Sequence, residues 1–410
     1  MLRLGIIGMA RILPAHLRGM KRLLDAGLAD FRVTALVGRT MAGALCFRRR
    51  GEGPVPRVPV GPDGDPLSAP HMYCSDLHPD TLPECFTDIS AMLEADRVDA
   101  VLLLTPVGLH HSQALQCMRA GVHVLCEKPL AVSVRAARAM VEEAERRGLT
   151  LGVAEGAVYD PTARLQRWAV DSGLLGPVEM LLTGGVGGFW SPDRICAETP
   201  WRHRKVEAGG GPAVDIGVHQ FAHIRYVAGE VALVAAMTAR LAPERFTRDA
   251  AGQVLQRVAP DVEDTYHALF RLAGGGTGQA SFSWAGRGQA TFWPGAPVVY
   301  GAHGVLRGPR FFGEDGVAAD LAGRVPPELT ARWFPGGIRD SKALQLLDFI
   351  RAAASVGGME ADGRRGMADL ACAFAVLESA AARRTLAVEE VLAGSADAYQ
   401  REIDQAYGLV

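Results

Sequence analysis

The feature that most constrains this chain is the alternation of short apolar runs with helix-length segments over its first 150 residues. Residues 2–7, 31–37, 100–105 and 122–126 read as strands, and the continuous Val101-Leu102-Leu103-Leu104 suggests burial on both faces of a parallel sheet. Between them, 10–26 and 110–120 carry helical periodicity, with Pro14 tolerable in a first turn. A third helix over 133–147 is opened by Ser133 as a cap and closed by Gly148. Such alternation predicts β-α-β units and an α/β domain with a parallel sheet over 1–150.

Residues 48–70 break the rhythm: six prolines and four glycines in 23 residues cannot form a regular element. The segment reads as an inserted surface loop, with a flap or subunit contact as the alternative. From residue 178 the texture changes to strand-like runs at 178–184, 231–240, 264–272, 278–284 and 295–300. The alternation Thr265-Tyr266-His267-Ala268-Leu269-Phe270 and the turn Gly274-Gly275-Gly276 predict antiparallel hairpins. Helices follow at 341–356, 366–383 and 394–408. The expectation is a second, α+β domain over 151–410.

Composition supports two globular domains in 410 residues, with 49% apolar and 21% charged residues. Lys plus Arg number 43 against 45 Asp plus Glu, a net charge of -2 that lacks the basic footprint of nucleic-acid binding. The seven cysteines occur singly, with no zinc-finger spacing, and read as free thiols in a reducing cytoplasm. No apolar run is long enough to span a bilayer, and the opening residues read as a first strand rather than a signal sequence. No metal site, no nucleic-acid partner and no membrane association are expected.

Three constellations carry chemistry. Gly8-Met9-Ala10-Arg11-Ile12 follows a strand and opens a helix, the context of a dinucleotide fingerprint, with Ala10 where the second glycine stands and Leu13 for the third. A helix start there offers amide N–H groups to an anion. The second strand ends in Gly38-Arg39-Thr40 where an NAD site carries a carboxylate, so Arg39 and Thr40 favour the 2′-phosphate of NADP over NAD. Thr105-Pro106 with His110, and Glu127-Lys128-Pro129, fall at the carboxyl ends of parallel strands, where ligands bind in open α/β sheets. In the glycine-rich block 209–219, Asp215 and His219 stand four apart, and share a face if the block opens one helix.

Gly8 with its strand, Thr105-Pro106 with His110, Glu127-Lys128-Pro129, Trp201-Arg202, the 209–219 block and Gly301-x-x-Gly304-Val305-Leu306 together resemble the Gfo/Idh/MocA oxidoreductases, a family that includes glucose-fructose oxidoreductase and inositol dehydrogenase. The resemblance implies an NAD(P)-binding Rossmann domain and a C-terminal domain whose large open antiparallel sheet makes a homo-oligomer. It also implies hydride transfer on sugars or cyclic polyols. By matching position Lys128, Asp215 and His219 would be catalytic, with Trp201 and Arg202 near the cofactor. Val107 stands where the family often has Asn, and Glu155-Gly156-Ala157-Val158 replaces its Asn-x-Arg; both changes fall on cofactor and substrate contacts.

The expected chemistry is reversible oxidation of a secondary alcohol. His219 would carry the hydroxyl proton, a role that suits imidazole. Asp215 would orient it or hold a neighbouring hydroxyl, and Lys128 would stabilise charge on the reacting oxygen. The alternatives are a C=C or C=N reductase and a non-catalytic dinucleotide-sensing protein on the same scaffold.

Overall fold

The computed structural model describes residues 1–61, 63–187, 199–249, 251–286, 288–314, 316–355 and 357–410; for residues 293–296 it describes the backbone alone. The chain forms two compact units, 1–130 with 138–159 and 328–366, and 131–137 with 160–327 and 367–410.

In the first unit six strands are all parallel: β1 (Leu2–Ile7), β2 (Phe31–Val37), β3 (Glu84–Phe86), β4 (Ala100–Leu103), β5 (His123–Cys126) and β6 (Leu151–Val153). Their order, β3-β2-β1-β4-β5-β6, reverses direction between β1 and β4 and so opens a ligand-binding crevice at the carboxyl ends. Leu4, Ile6, Val101, Leu102 and Leu125 are fully buried, as strands covered on both faces require. β1 and β2 occupy the spans their sequence predicts, whereas β3 and β6, three residues each, are too short to show a period.

The helix Leu13–Asp25 starts three residues later than its periodicity suggests, because the Leu13 amide first closes a turn onto Ala10 O at 3.1 Å. Among its described residues, segment 48–70 holds only the end of the helix Met41–Arg48 and the short turn Pro66–Ser68. Its first residues are not free of the body, however. Gly53 lies so close to the preceding helix that a Cβ there would fall 2.3 Å from Cys46 N, and Cys46 Sγ reaches Pro54 O at 3.4 Å.

Residues 328–366 return to this unit although sequence position alone assigns them to the second domain. The reason is a charged bolt. Asp340 caps the helix Ser341–Ala353 by accepting from the amides of Lys342 (2.9 Å) and Ala343 (3.2 Å), and its other oxygen accepts from Arg18 (3.1 Å) and Arg22 (2.8 Å) of the helix Leu13–Asp25. Gly19 lets the two helices touch, since a Cβ there would sit 2.8 Å from Ala343 N.

The second unit is built on a nine-stranded sheet of β7 (Val178–Val186), β8 (Val231–Ala239), β11 (Thr265–Leu272), β12 (Thr277–Ser283), β13 (Thr291–Gly301), β14 (Gly304–Arg307), β15 (Arg310–Gly313), β16 (Ala318–Asp320) and β17 (Leu386–Ala387), with β9 (Arg245–Arg248) and β10 (Val254–Val258) forming a separate ribbon. The order is β16-β15-β14-β13-β7-β12-β11-β8-β17; β7 and β12 pair in parallel and every other pair is antiparallel. β11 and β12 make the predicted hairpin around Gly274-Gly275-Gly276. Alternation along β11 sorts Tyr266, Ala268 and Phe270 to a buried face, where Phe270 meets Phe221 of the helix Gly217–Ala228, and leaves His267, Leu269 and Arg271 exposed. Of the last expected helix, 394–408, only Arg401–Ala406 is helical; the helix Val388–Leu392 ends before that span, and Gly394 (φ 75°) stands in the turn that follows it. The six described cysteines are free; Cys196 lies outside the described residues.

Candidate functional site

Gly8 (φ 96°) ends β1 in the left-handed region, and a Cβ on it would lie 2.8 Å from both Leu104 C and Thr105 N at the exit of β4. Met9, Ala10, Arg11 and Ile12 are half-exposed beyond it. Ile12 heads the 13-residue helix without any side-chain cap; the Leu13 amide is spent on Ala10 O, Pro14 has no N–H and the Ala15 amide is spent on Ile12 O, so what this start offers an anion is the positive end of the helix dipole. An uncapped helix start above a glycine pressed on the neighbouring strand fits a dinucleotide's pyrophosphate.

At the end of β2, Arg39 and Thr40 are exposed, and Thr40 Oγ1 caps the helix Met41–Arg48 by accepting from Gly43 N at 3.1 Å. Gly38 has no room for a carboxylate: a Cβ would stand 2.8 Å from Thr40 O and 2.9 Å from Ala44 N. Positions 39 and 40, and not 38, are therefore the ones from which a side chain reaches solvent here.

The Glu127-Lys128-Pro129 turn leaves β5 and is pinned from both sides. Buried Glu127 uses Oε1 to accept from Lys342 Nζ (2.6 Å) and His16 Nε2 (2.7 Å), and Oε2 to accept from the Lys128 amide (3.2 Å). Burial alone would raise the Glu127 carboxyl, but Lys342 and His16 outweigh it and hold it well below the usual range. Burial, reinforced by Lys342, lowers His16 to about 4, so at neutral pH a neutral ring donates its Nε2–H. On the other side, buried His110 sets Nδ1 3.0 Å from Pro129 O and Nε2 2.8 Å from Thr105 O, while Thr105 Oγ1 donates to Gln113 Oε1 at 2.7 Å. His110 is thus a strut between the ends of β4 and β5. Burial lowers its pKa against the pull of those carbonyls. The Lys128 side chain is half-buried. Pro106 and Val107 open the helix that carries His110, and Glu155, just past β6, accepts from Ala157 N at 2.9 Å.

In the second unit the 209–219 block is two helical pieces rather than one. Asp215 closes the turn Pro212–Asp215, Ile216 (φ -106°, ψ -39°) interrupts, and His219 lies in the helix Gly217–Ala228. The condition under which Asp215 and His219 would share the face of one helix is therefore not met. Glu263 holds the start of the first piece: its Oε2 accepts from Gly211 N and its Oε1 from Ala213 N, both at 3.0 Å, and a Cβ on Gly211 would fall 1.9 Å from Glu263 O. Burial raises the Glu263 carboxyl to about 7 despite these amides. Arg202, with its guanidinium 4.5 Å over the Trp201 ring, donates to Asp215 Oδ2 at 2.5 Å. Among the described residues no cluster of His, Cys, Asp or Glu could hold a metal.

Comparison with known proteins now adds its weight. Residues 75–155 match an oxidoreductase family with an NAD-binding Rossmann fold, and residues 164–307 match the GFO/IDH/MocA C-terminal domain. The chain belongs to the Gfo/Idh/MocA oxidoreductase family. It is 25% identical to levoglucosan dehydrogenase of Pseudarthrobacter phenanthrenivorans over 75% of this chain and 84% of that one. It is 36% identical to 1,5-anhydro-D-fructose reductase of Ensifer adhaerens, over 34% of this chain and 41% of the reductase. The solved levoglucosan dehydrogenase complex with NADH and levoglucosan superposes with a TM-score of 0.72 at 20% identity, covering 94% of this chain and 98% of that one. The fold is therefore a Rossmann unit joined to the family's mixed, mostly antiparallel sheet, and the chain is an oxidoreductase with an NAD-binding Rossmann domain.

His16, Lys342 and Glu263 escape a reading of this family's sequence motifs. Lys342 stands 215 positions from Glu127, and nothing local in Asp340-Ser341-Lys342 marks it. Glu263 precedes a strand and reads as a solvated loop residue. Only the carboxylate of Glu127, already singled out, carries a hint, since a buried charge must find partners.

Proposed function

We propose that this protein transfers a hydride between a nicotinamide dinucleotide and a secondary alcohol or ketone of a sugar, sugar derivative or cyclic polyol. The observation that carries this reading is the Glu127-Lys128-Pro129 turn, fixed at the carboxyl end of β5 with its lysine half-buried. Names of the relatives, which act on levoglucosan, D-xylose and myo-inositol, support the substrate class.

When bound, the nicotinamide supplies or accepts the hydride at its C4. Residues 8–12 would hold the pyrophosphate. Lys128 would donate a hydrogen bond to the reacting oxygen and stabilise the negative charge it develops. His219 would take the hydroxyl proton in oxidation and return it in reduction. Asp215, charge-paired with Arg202, would hold a substrate hydroxyl or orient that imidazole. NADP is the preferred cofactor, which the exposed Arg39, the Thr40-capped helix and the crowding at Gly38 support. A homo-oligomer through the second unit's sheet is supported by its exposed Leu269 and Met237, and a cytoplasmic setting by the free thiols.

The test is a panel of levoglucosan, D-xylose, myo-inositol and 1,5-anhydro-D-fructose with NADP(H) and NAD(H), followed by nicotinamide absorbance. Turnover of at least one panel member, faster with the phosphorylated cofactor, is expected. A protein that binds the cofactor but oxidises or reduces no sugar or polyol would refute the proposal.

A further inference from the structure

We infer that Lys342, with His16, is a positioning residue for Lys128, acting through Glu127; this rests on the reading of Lys128 given above. The contacts form a closed chain of constraint. Asp340 fixes the start of the helix Ser341–Ala353 and is itself gripped by Arg18 and Arg22. The two bolted helices then present Lys342 and His16 to one oxygen of Glu127. The other oxygen takes the amide of Lys128, so the peptide between Glu127 and Lys128 is oriented by a side chain that cannot turn without leaving two partners. Lys342 is 7% and His16 2% exposed, so water does not replace either contact at low cost. Lys342 also neutralises Glu127, which leaves Lys128 the ammonium group of this turn that is half-open to solvent. The positioning therefore comes from a segment more than 200 residues downstream of the turn it serves.

Lys342→Met, Lys128→Met and the double variant separate this role from simple stabilisation. Two readouts are used: hydrogen exchange at the Lys128 amide with cofactor affinity, which need no substrate, and turnover of the four-compound panel. In folded Lys342→Met the Lys128 amide should exchange faster, NADPH affinity should stay within about threefold, and kcat should fall by up to about 10²-fold, the order that small misplacements cost. In the Lys128→Met background the same change should lower kcat by less than about twofold, because its route of action is gone. Should Lys342→Met fail to fold, Lys342→Arg, which keeps the charge and shifts the contact, carries the same test with the same outcomes. Unchanged exchange at Lys128, or an equal loss of turnover in both backgrounds, overturns the inference while leaving Lys128 in place. Wild-type turnover by Lys128→Met overturns the reading of Lys128 and this inference with it.

Discussion

Each unit has a buried glutamate that holds the turn bearing a candidate catalytic side chain, and the two are built differently. Glu127 in the first unit accepts from a lysine, an imidazole and one amide. Glu263 in the second accepts from backbone amides, those of Gly211 and Ala213 among them, and the charge of Arg245 adds to their pull. The carboxylate beside an ammonium group is held ionised; the one supported by amides titrates near neutrality, at about 7. Burial opposes the charge in both, so what decides is whether a full cation stands within hydrogen-bond reach.

The largest expected effects test whether the two turns serve one reaction. Lys128→Met and His219→Ala should each lower turnover about 10²–10⁴-fold with NADPH affinity little changed for His219→Ala. The double change should cost far less than the product of the two. Multiplicative losses would mean that the turns act independently, and the comparison would become one of two unrelated loops.

Removing Glu127 alone should be next in size. Glu127→Leu leaves Lys342 buried without its anion and should destabilise the first unit by about 3–5 kcal/mol, whereas Glu127→Leu with Lys342→Met should recover most of it. Denaturant titration of the three proteins reads this. A double variant as unstable as the single would show that shape, and not charge, matters at this site.

The pH responses should differ in sign. A carboxyl raised by folding stabilises the fold below its unfolded pKa and loses that contribution as pH rises toward 7, so Glu263 should weaken the second unit between about pH 4.5 and 7, by on the order of 3 kcal/mol. Glu263→Gln should flatten that slope. His16, lowered to about 4, contributes fully above about pH 6.5 and loses its contribution as pH falls through 4, and Glu127 acts in the same sense at lower pH. Unfolding midpoints measured across pH 4 to 8 in wild type and Glu263→Gln separate the two; a fall in stability between pH 4.5 and 7 that survives in Glu263→Gln contradicts the Glu263 assignment, whereas the rise from pH 4 to 6.5 due to His16 should remain.

How much of this was legible in the sequence depends on range. β1 and β2 could be placed to the residue because each is a short apolar-rich run, broken only by Arg3 in the first and by Arg32 and Thr34 in the second, set against helix-length segments, and Ser133 could be named as a cap, where its Oγ accepts from Ala136 N at 3.2 Å. Glu127-Lys128-Pro129 and the glycine-rich block announced the two turns. Their supports were invisible: Lys342 and Glu263 meet them only after the chain has folded back, and Gly211 is required by the carbonyl of Glu263 rather than by any local turn signal.

The smallest effect concerns the cofactor. Gly38→Asp would strain the end of β2, so the discriminating change is Arg39→Asp, which should lower NADP affinity relative to NAD by about 1–2 kcal/mol in calorimetry. An unchanged ratio would remove Arg39 from the argument.

The most direct test of the whole account is transfer of the label from NADPH deuterated at C4 to the ketone 1,5-anhydro-D-fructose in a single turnover. Deuterium is expected on the new carbinol carbon of the product in the wild type, with a strongly slowed appearance of the same product in Lys128→Met. Oxidation of the cofactor with the label lost to water, or transfer at an equal rate in Lys128→Met, would contradict it.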